Sequence, residues 1–262
     1  MRSRLLLLMF VAMLPLLAQA QSKVTASTSI WPELQFSYGV GESGILFLQS
    51  QYRINTDGRY NDLSESGLLS GLERIELVAG YEHTLTEHWR LGAMYRYAIE
   101  DYPKTSFIGA FLRHNGNIKS LYFNKQVQYD HVLQEDQDAK GNFRAMAELG
   151  KRLPLKDKYI TPAISYELML LSDYKKDENT SADERTVDRT RLRLGLTYEL
   201  TEQLRITPYF MRQTDYYYVQ ARFDEDMQVI EEASKRNRIV PIIGLEIKYS
   251  LNTTPNTASY TY

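Results

Sequence analysis

From Glu73 to Leu85 alternate positions carry different chemistry. Ile75, Leu77, Ala79, Tyr81 and Leu85, interrupted by His83, interleave with Arg74, Glu76, Val78, Gly80 and Glu82. After a short Thr86-Glu87-His88 link the alternation resumes, with Trp89, Leu91, Ala93, Tyr95, Tyr97 and Ile99 set against Arg90, Gly92, Met94, Arg96, Ala98 and Glu100. A period of two places each set on one face of a strand, whereas a helix needs apolar residues at i, i+3 and i+4. Two such strands, each about a dozen residues long and joined by a tight turn, make a hairpin that spans a bilayer when tilted.

The same pattern returns downstream. Arg191, Arg193, Gly195, Thr197 and Glu199 alternate with Leu192, Leu194, Leu196, Tyr198 and Leu200, and a Thr201-Glu202-Gln203 link leads to Leu204, Ile206 and Phe210. Near the end Ile239, Ile243, Leu245, Ile247, Tyr249 and Leu251 alternate with Val240, Ile242, Gly244, Glu246 and Lys248. Weaker strands read at about 30–40, 45–55, 105–114, 118–130, 142–151 and 159–170. Links near 84–88, 114–117, 152–158 and 201–203 are short, while those near 56–71, 131–141, 171–188 and 215–236 are long and polar; the link at 101–104 breaks the alternation. Outer-membrane barrels combine short periplasmic turns with longer external loops.

Soluble barrels also alternate, so the deciding feature is which face is polar. Here one stripe carries Leu, Ile, Ala, Tyr and Trp with hardly a charge, and the other carries Arg, Glu and Gly. That is the inverted arrangement suited to hydrocarbon outside and water inside. The expected fold is an all-β, antiparallel transmembrane β-barrel of 10–12 strands. The segments above number eleven. Single-chain bacterial barrels have an even number, with both termini in the periplasm, which favours 10 or 12. Either the Trp31–Val40 segment is not a full wall strand, or a further strand hides in Ser22–Ser29 or around 219–231. A soluble periplasmic barrel is the competing fold.

Composition sharpens this. Tyrosine dominates the aromatics, with 20 Tyr against 9 Phe and 2 Trp, and suits positions that are dry at one end and wet at the other. Trp89, Tyr81, Tyr159, Tyr198 and Tyr249 fall near the short-turn end, and Tyr95, Tyr97 and the Tyr216-Tyr217-Tyr218 run toward the long-loop end, giving two aromatic girdles. Mean hydropathy is −0.42, and no later stretch approaches 18 apolar residues, so a membrane span here has to be a closed barrel.

The start of the chain has the three parts of a secretory signal: Arg2 and Arg4, an apolar run of 13 residues from Leu5 to Leu17, and Ala18-Gln19-Ala20. We expect cleavage after residue 20 and a single barrel domain over 21–262. Losing Arg2 and Arg4 takes the basic count from 31 to 29 against 33 acidic residues, a net charge of −4 that argues against nucleic acid as a partner. The absence of cysteine excludes a lipoprotein anchor, disulfides and thiolate metal sites.

The inward stripe supplies the candidate site: Arg74, Glu76, Arg90, Arg96, Arg144, Glu148, Glu167, Arg191, Arg193, Glu199, Glu246 and Lys248, with Glu82 and Glu100 on the same face. Charges of both signs on neighbouring strands can pair and fill a narrow lumen without stranding a desolvated ion; they can also set which solutes pass. Near-balanced signs favour the structural role, because a selective pore carries an excess of one sign. For catalysis the chain offers His83, His88, His114 and His131, and only Asp130 with His131 resembles an acid–base seed. No G-x-S-x-G, H-E-x-x-H or phosphate-loop pattern appears. The acidic loop Asp173–Asp188 and Asp224-Glu225-Asp226 match no calcium-loop spacing and are diluted by lysine and arginine, so they read as solvated loop. No cofactor and no metal are expected.

Trp31-Pro32-Glu33-Leu34, Gln51-Tyr52-Arg53, Ile164-Ser165-Tyr166-Glu167 and the run from Arg189 to Leu196 resemble a family of bacterial outer-membrane barrels of unknown function, over most of the chain after the leader. The resemblance implies the fold and leaves activity open. The tail Ser259-Tyr260-Thr261-Tyr262 ends in the aromatic that such barrels present to their assembly machinery, but about eleven residues beyond the last strong strand. We therefore expect a monomer in a Gram-negative outer membrane, with membrane lipid, lipopolysaccharide and the barrel-assembly machinery as partners. Its expected role is non-catalytic, as a small channel, surface-binding or structural barrel. The alternative is a barrel-borne hydrolase acting on lipid or surface polypeptide.

Overall fold

The computed structural model describes residues 22–57, 71–100, 104–173, 186–219, 221–223, 228–231 and 234–252. The leader, the C-terminal tail, Asp224-Glu225-Asp226 and most of the 173–188 loop lie outside them. Eleven strands form the wall: β1 Ser29–Val40, β2 Gly44–Asn55, β3 Leu72–Thr84, β4 Trp89–Ile99, β5 Thr105–Ile118, β6 Leu121–Gln134, β7 Lys140–Gly150, β8 Lys158–Asp173, β9 Val187–Glu199, β10 Leu204–Val219 and β11 Ser234–Leu251. Each pairs antiparallel with its chain neighbour, and β11 closes on β1. The fold is a closed transmembrane β-barrel.

The closure is parallel, with register running from Ile242↔Ser29 to Leu251↔Tyr38. Ser22–Thr25 extends the seam, also parallel, along Arg236–Ile239. An odd number of sequential antiparallel strands leaves the first and last running the same way, and a parallel ladder still satisfies the backbone groups of both edges. The even-number expectation of 10 or 12 therefore fails here. Trp31–Val40 belongs to a full wall strand. Among the described residues of 219–231, Arg222–Phe223 and Val229–Glu231 form a small hairpin separate from the wall. The described chain enters the wall at the long-loop end and leaves it at the short-turn end.

Strand ends differ from the sequence reading, most of all at two places. The β5–β6 turn falls at Lys119-Ser120, not 114–117, and Lys119 takes φ +55° there. Asn115 and Gly116 look like turn residues, yet they pair with Asn124 and Phe123 inside the ladder. Their backbone bonds to β6 continue the ladder, so loop composition alone does not end the strand. Likewise Tyr216, Tyr217 and Tyr218 pair with Asn237, Arg236 and Lys235, which extends the wall into the expected loop.

The two faces are chemically opposite. Leu48, Ile108, Leu194, Phe210 and Ile243 are exposed on the outside, Ile243 to 57%. Glu82, Arg90, Arg96, Asp130 and Lys248 are buried inside, Asp130 completely. A belt of apolar side chains around a charged interior is stable only against hydrocarbon. Inward rings lie over cross-strand glycines: Phe111 covers Gly92 and Tyr209 covers Gly244, with the ring where a Cβ would stand.

Candidate functional site in the barrel interior

The long-loop half of the interior holds a network built around two carboxylates. Glu76 on β3 receives Arg53 Nη2 at 3.2 Å, Arg74 Nη2 at 3.2 Å and Arg96 Nη1 at 3.4 Å. Asp130 on β6 accepts hydrogen bonds from Arg96 Nη2 at 2.6 Å and the Gln128 amide at 2.8 Å, and Arg144 Nε stands in an ion pair with it at 3.3 Å. Arg96 thus links the two hubs across β3 to β6. Further pairs continue around the wall: Arg74–Glu100 at 2.9 Å, Arg191–Glu167 at 3.2 Å and Arg189–Asp215 at 2.6 Å. Cross-strand and diagonal spacing on one face brings these groups into reach. Beside the seam, Arg53 and Arg191 lie over the Trp31 ring at 4.4 and 5.4 Å, and Trp31 packs with Tyr209, Met211, Val240 and Ile242 in a small apolar cluster.

At the middle level Arg193 Nη2 meets Glu246 at 2.7 Å, and Glu33 accepts the Tyr209 hydroxyl and the Gln49 amide. Toward the short turns, Glu82 bridges Arg90 and Arg113, each at 2.9 Å. Lys248, 2% exposed, has no hydrogen-bond partner at Nζ among the described residues. A central cavity of about 250 Å³ runs between these layers.

The predicted residues therefore occupy several environments. Arg74, Glu76, Arg90, Arg96, Arg144, Glu167, Arg191, Arg193 and Glu246 make interior ion pairs. Glu148 lines a small side chamber with Tyr122, and Glu199 sits at the rim, gripped by the exposed Arg152 at 2.6 Å. Sequence reasoning missed Glu33, Arg53 and Arg113 as interior groups, and it weighed Asp130 only beside His131. Period two could have found them, since Arg53 shares a face with Gln51, and Asp130 with Gln126 and Gln128. Period two also separates the Asp130–His131 candidate: neighbours on a strand face opposite ways, and Asp130 points inward to two arginines.

Of the aromatics expected to form girdles, Tyr81, Trp89, Tyr95, Tyr159 and Tyr249 are exposed on the outer face, whereas Tyr97 and Tyr198 are half-buried. Trp89 meets His114 edge-on at 4.7 Å, Tyr249 stacks on Phe36 at 6.2 Å, and Arg152 caps Tyr159 at 3.5 Å.

A family profile described as Protein of unknown function (DUF2490) matches residues 28–224. The chain belongs to that family. The DUF2490 match covers β1 to β10 and ends before β11. No curated protein matches the chain. Among solved structures, a NanC porin in a rhombohedral crystal form is similar over 83% of this chain and 91% of that one, at 14% identity and a TM-score of 0.44.

Proposed function

We propose that this protein is a narrow channel of the Gram-negative outer membrane, admitting only small solutes. The observation that carries the reading is the cavity of about 250 Å³ inside a closed barrel with an apolar belt, bounded by ion pairs rather than by a packed apolar core. In this reading the Glu76–Arg96–Asp130 network forms the constriction. The barrel works as a monomer, placed by the assembly machinery among lipid and lipopolysaccharide. Purified full-length protein in planar bilayers is expected to give a small, steady conductance. The paired substitution Glu76→Ala with Arg96→Ala, which takes out one charge of each sign and leaves the net charge of the network unchanged, is expected to raise it. Silence from both proteins, with insertion verified, overturns the channel reading.

A further inference from the structure

We propose that the short-turn end of the central cavity binds a small oxyanion, a carboxylate or a phosphate group, with Lys248 as its principal ligand. Lys248 is buried, and its ammonium makes no hydrogen bond among the described residues. Taking an ammonium out of water without a partner is costly, so this group calls for a counter-charge. Glu246, two residues along the same face, is occupied by Arg193 at 2.7 Å. The other charges acting on Lys248 are Arg205, Arg113 and Glu82. Glu82 is divided between Arg90 and Arg113. Glu199, which pairs with Arg205 across the ladder, is gripped by Arg152 through two bonds of 2.8 and 2.6 Å. Glu148 acts on Arg113 as well.

The cavity extends to the residues around Lys248, two of the charges acting on it, Glu82 and Arg113, being part of its lining. Gln35, the register partner of Lys248, lines it as well. Asn115, the next inward residue after Arg113 on β5, is also buried, with neither side-chain amide atom bonded. Glu82 shows what the cluster accepts: a carboxylate with one oxygen on each of two guanidiniums. A second oxyanion between Arg113 and Lys248 repeats that geometry with charge-assisted bonds and satisfies the ammonium.

The test is calorimetric titration of the full-length protein in detergent at low ionic strength, with inorganic phosphate and, separately, acetate. Saturable binding of at least one is expected, and which one binds separates a phosphate from a carboxylate ligand. Lys248→Met is expected to weaken binding about tenfold, the scale of one lost charge-assisted bond. Lys248→Gln gives the same reading if the methionine variant fails to fold, and Lys248→Arg retains binding. Lys125→Met, at an exposed lysine on β6, leaves it unchanged. Absence of saturable binding in the wild type overturns the site, as does unchanged affinity in both Lys248→Met and Lys248→Gln, or equal weakening by Lys125→Met. Binding in detergent requires no passage, so failure of conductance and failure of this site are distinguishable.

Discussion

Arg96 donates to Asp130 at 2.6 Å, and Asp130 has no exposed surface at all. The carboxylate exists in that position only because two arginines and Gln128 replace its water. Removing it leaves Arg96 dependent on Glu76 and leaves Arg144 without its nearest counter-charge. Breaking one side of a buried pair costs about 3–5 kcal/mol, because the remaining charge stays desolvated. Asp130→Asn is therefore expected to lower unfolding free energy in lipid or detergent by that order, while Asp130→Leu combined with Arg96→Met recovers part of it. A stability for Asp130→Asn equal to wild type would contradict the network.

The parallel seam makes a prediction about sidedness. Lys23 lies exposed beside β11 at the long-loop end, on the same rim as Gln137, whereas Glu87 lies in a short turn. The native chain has no cysteine, so single cysteines report cleanly. A membrane-impermeant maleimide added to whole cells is expected to label Lys23→Cys and Gln137→Cys, and to label Glu87→Cys only after permeabilisation. Labelling of Lys23→Cys together with Glu87→Cys would mean an even-stranded barrel.

Glycines on the inner face divide into two kinds. A Cβ at Gly92 would strike the Phe111 ring, whereas one at Gly195 would only reach ordinary contact with Thr207 Cγ2 at 3.4 Å. Gly92→Ala is expected to cost about 1–3 kcal/mol through forced displacement of a buried ring. Gly195→Ala is expected to be near neutral. Urea unfolding of both variants checks the contrast.

The outer face is testable at Leu194, which is exposed toward hydrocarbon between the inward Arg193 and Gly195. An arginine on the lipid face near the midplane costs about 2–4 kcal/mol. Leu194→Arg should therefore unfold more easily from lipid vesicles by that amount, or fail to insert. Full stability with Leu194→Arg would mean that this face meets water.

Much of this architecture was legible in the chain. The alternation at 73–100 and 191–200 marked both faces of β3, β4 and β9 correctly, because side-chain direction on a strand depends only on odd or even position. Strand ends were less legible. Asn115, Gly116 and the Tyr216-Tyr217-Tyr218 run have loop composition, and only pairing across the ladder holds them in strands. The Asp130–His131 suggestion rested on adjacency, which in a strand means separation.

The sequence alone determined which residues turn toward lipid and which turn inward, since a local period of two is enough to sort them. The tertiary structure alone decided which inward charges meet and how the wall closes. Glu33 and Tyr209 touch across 176 residues, and Arg193 finds Glu246 across 53. Such meetings depend on strand tilt and on the register of the closing seam, set by all eleven strands together. The same non-local closure left the Lys248 ammonium inside the barrel with no hydrogen bond among the described residues.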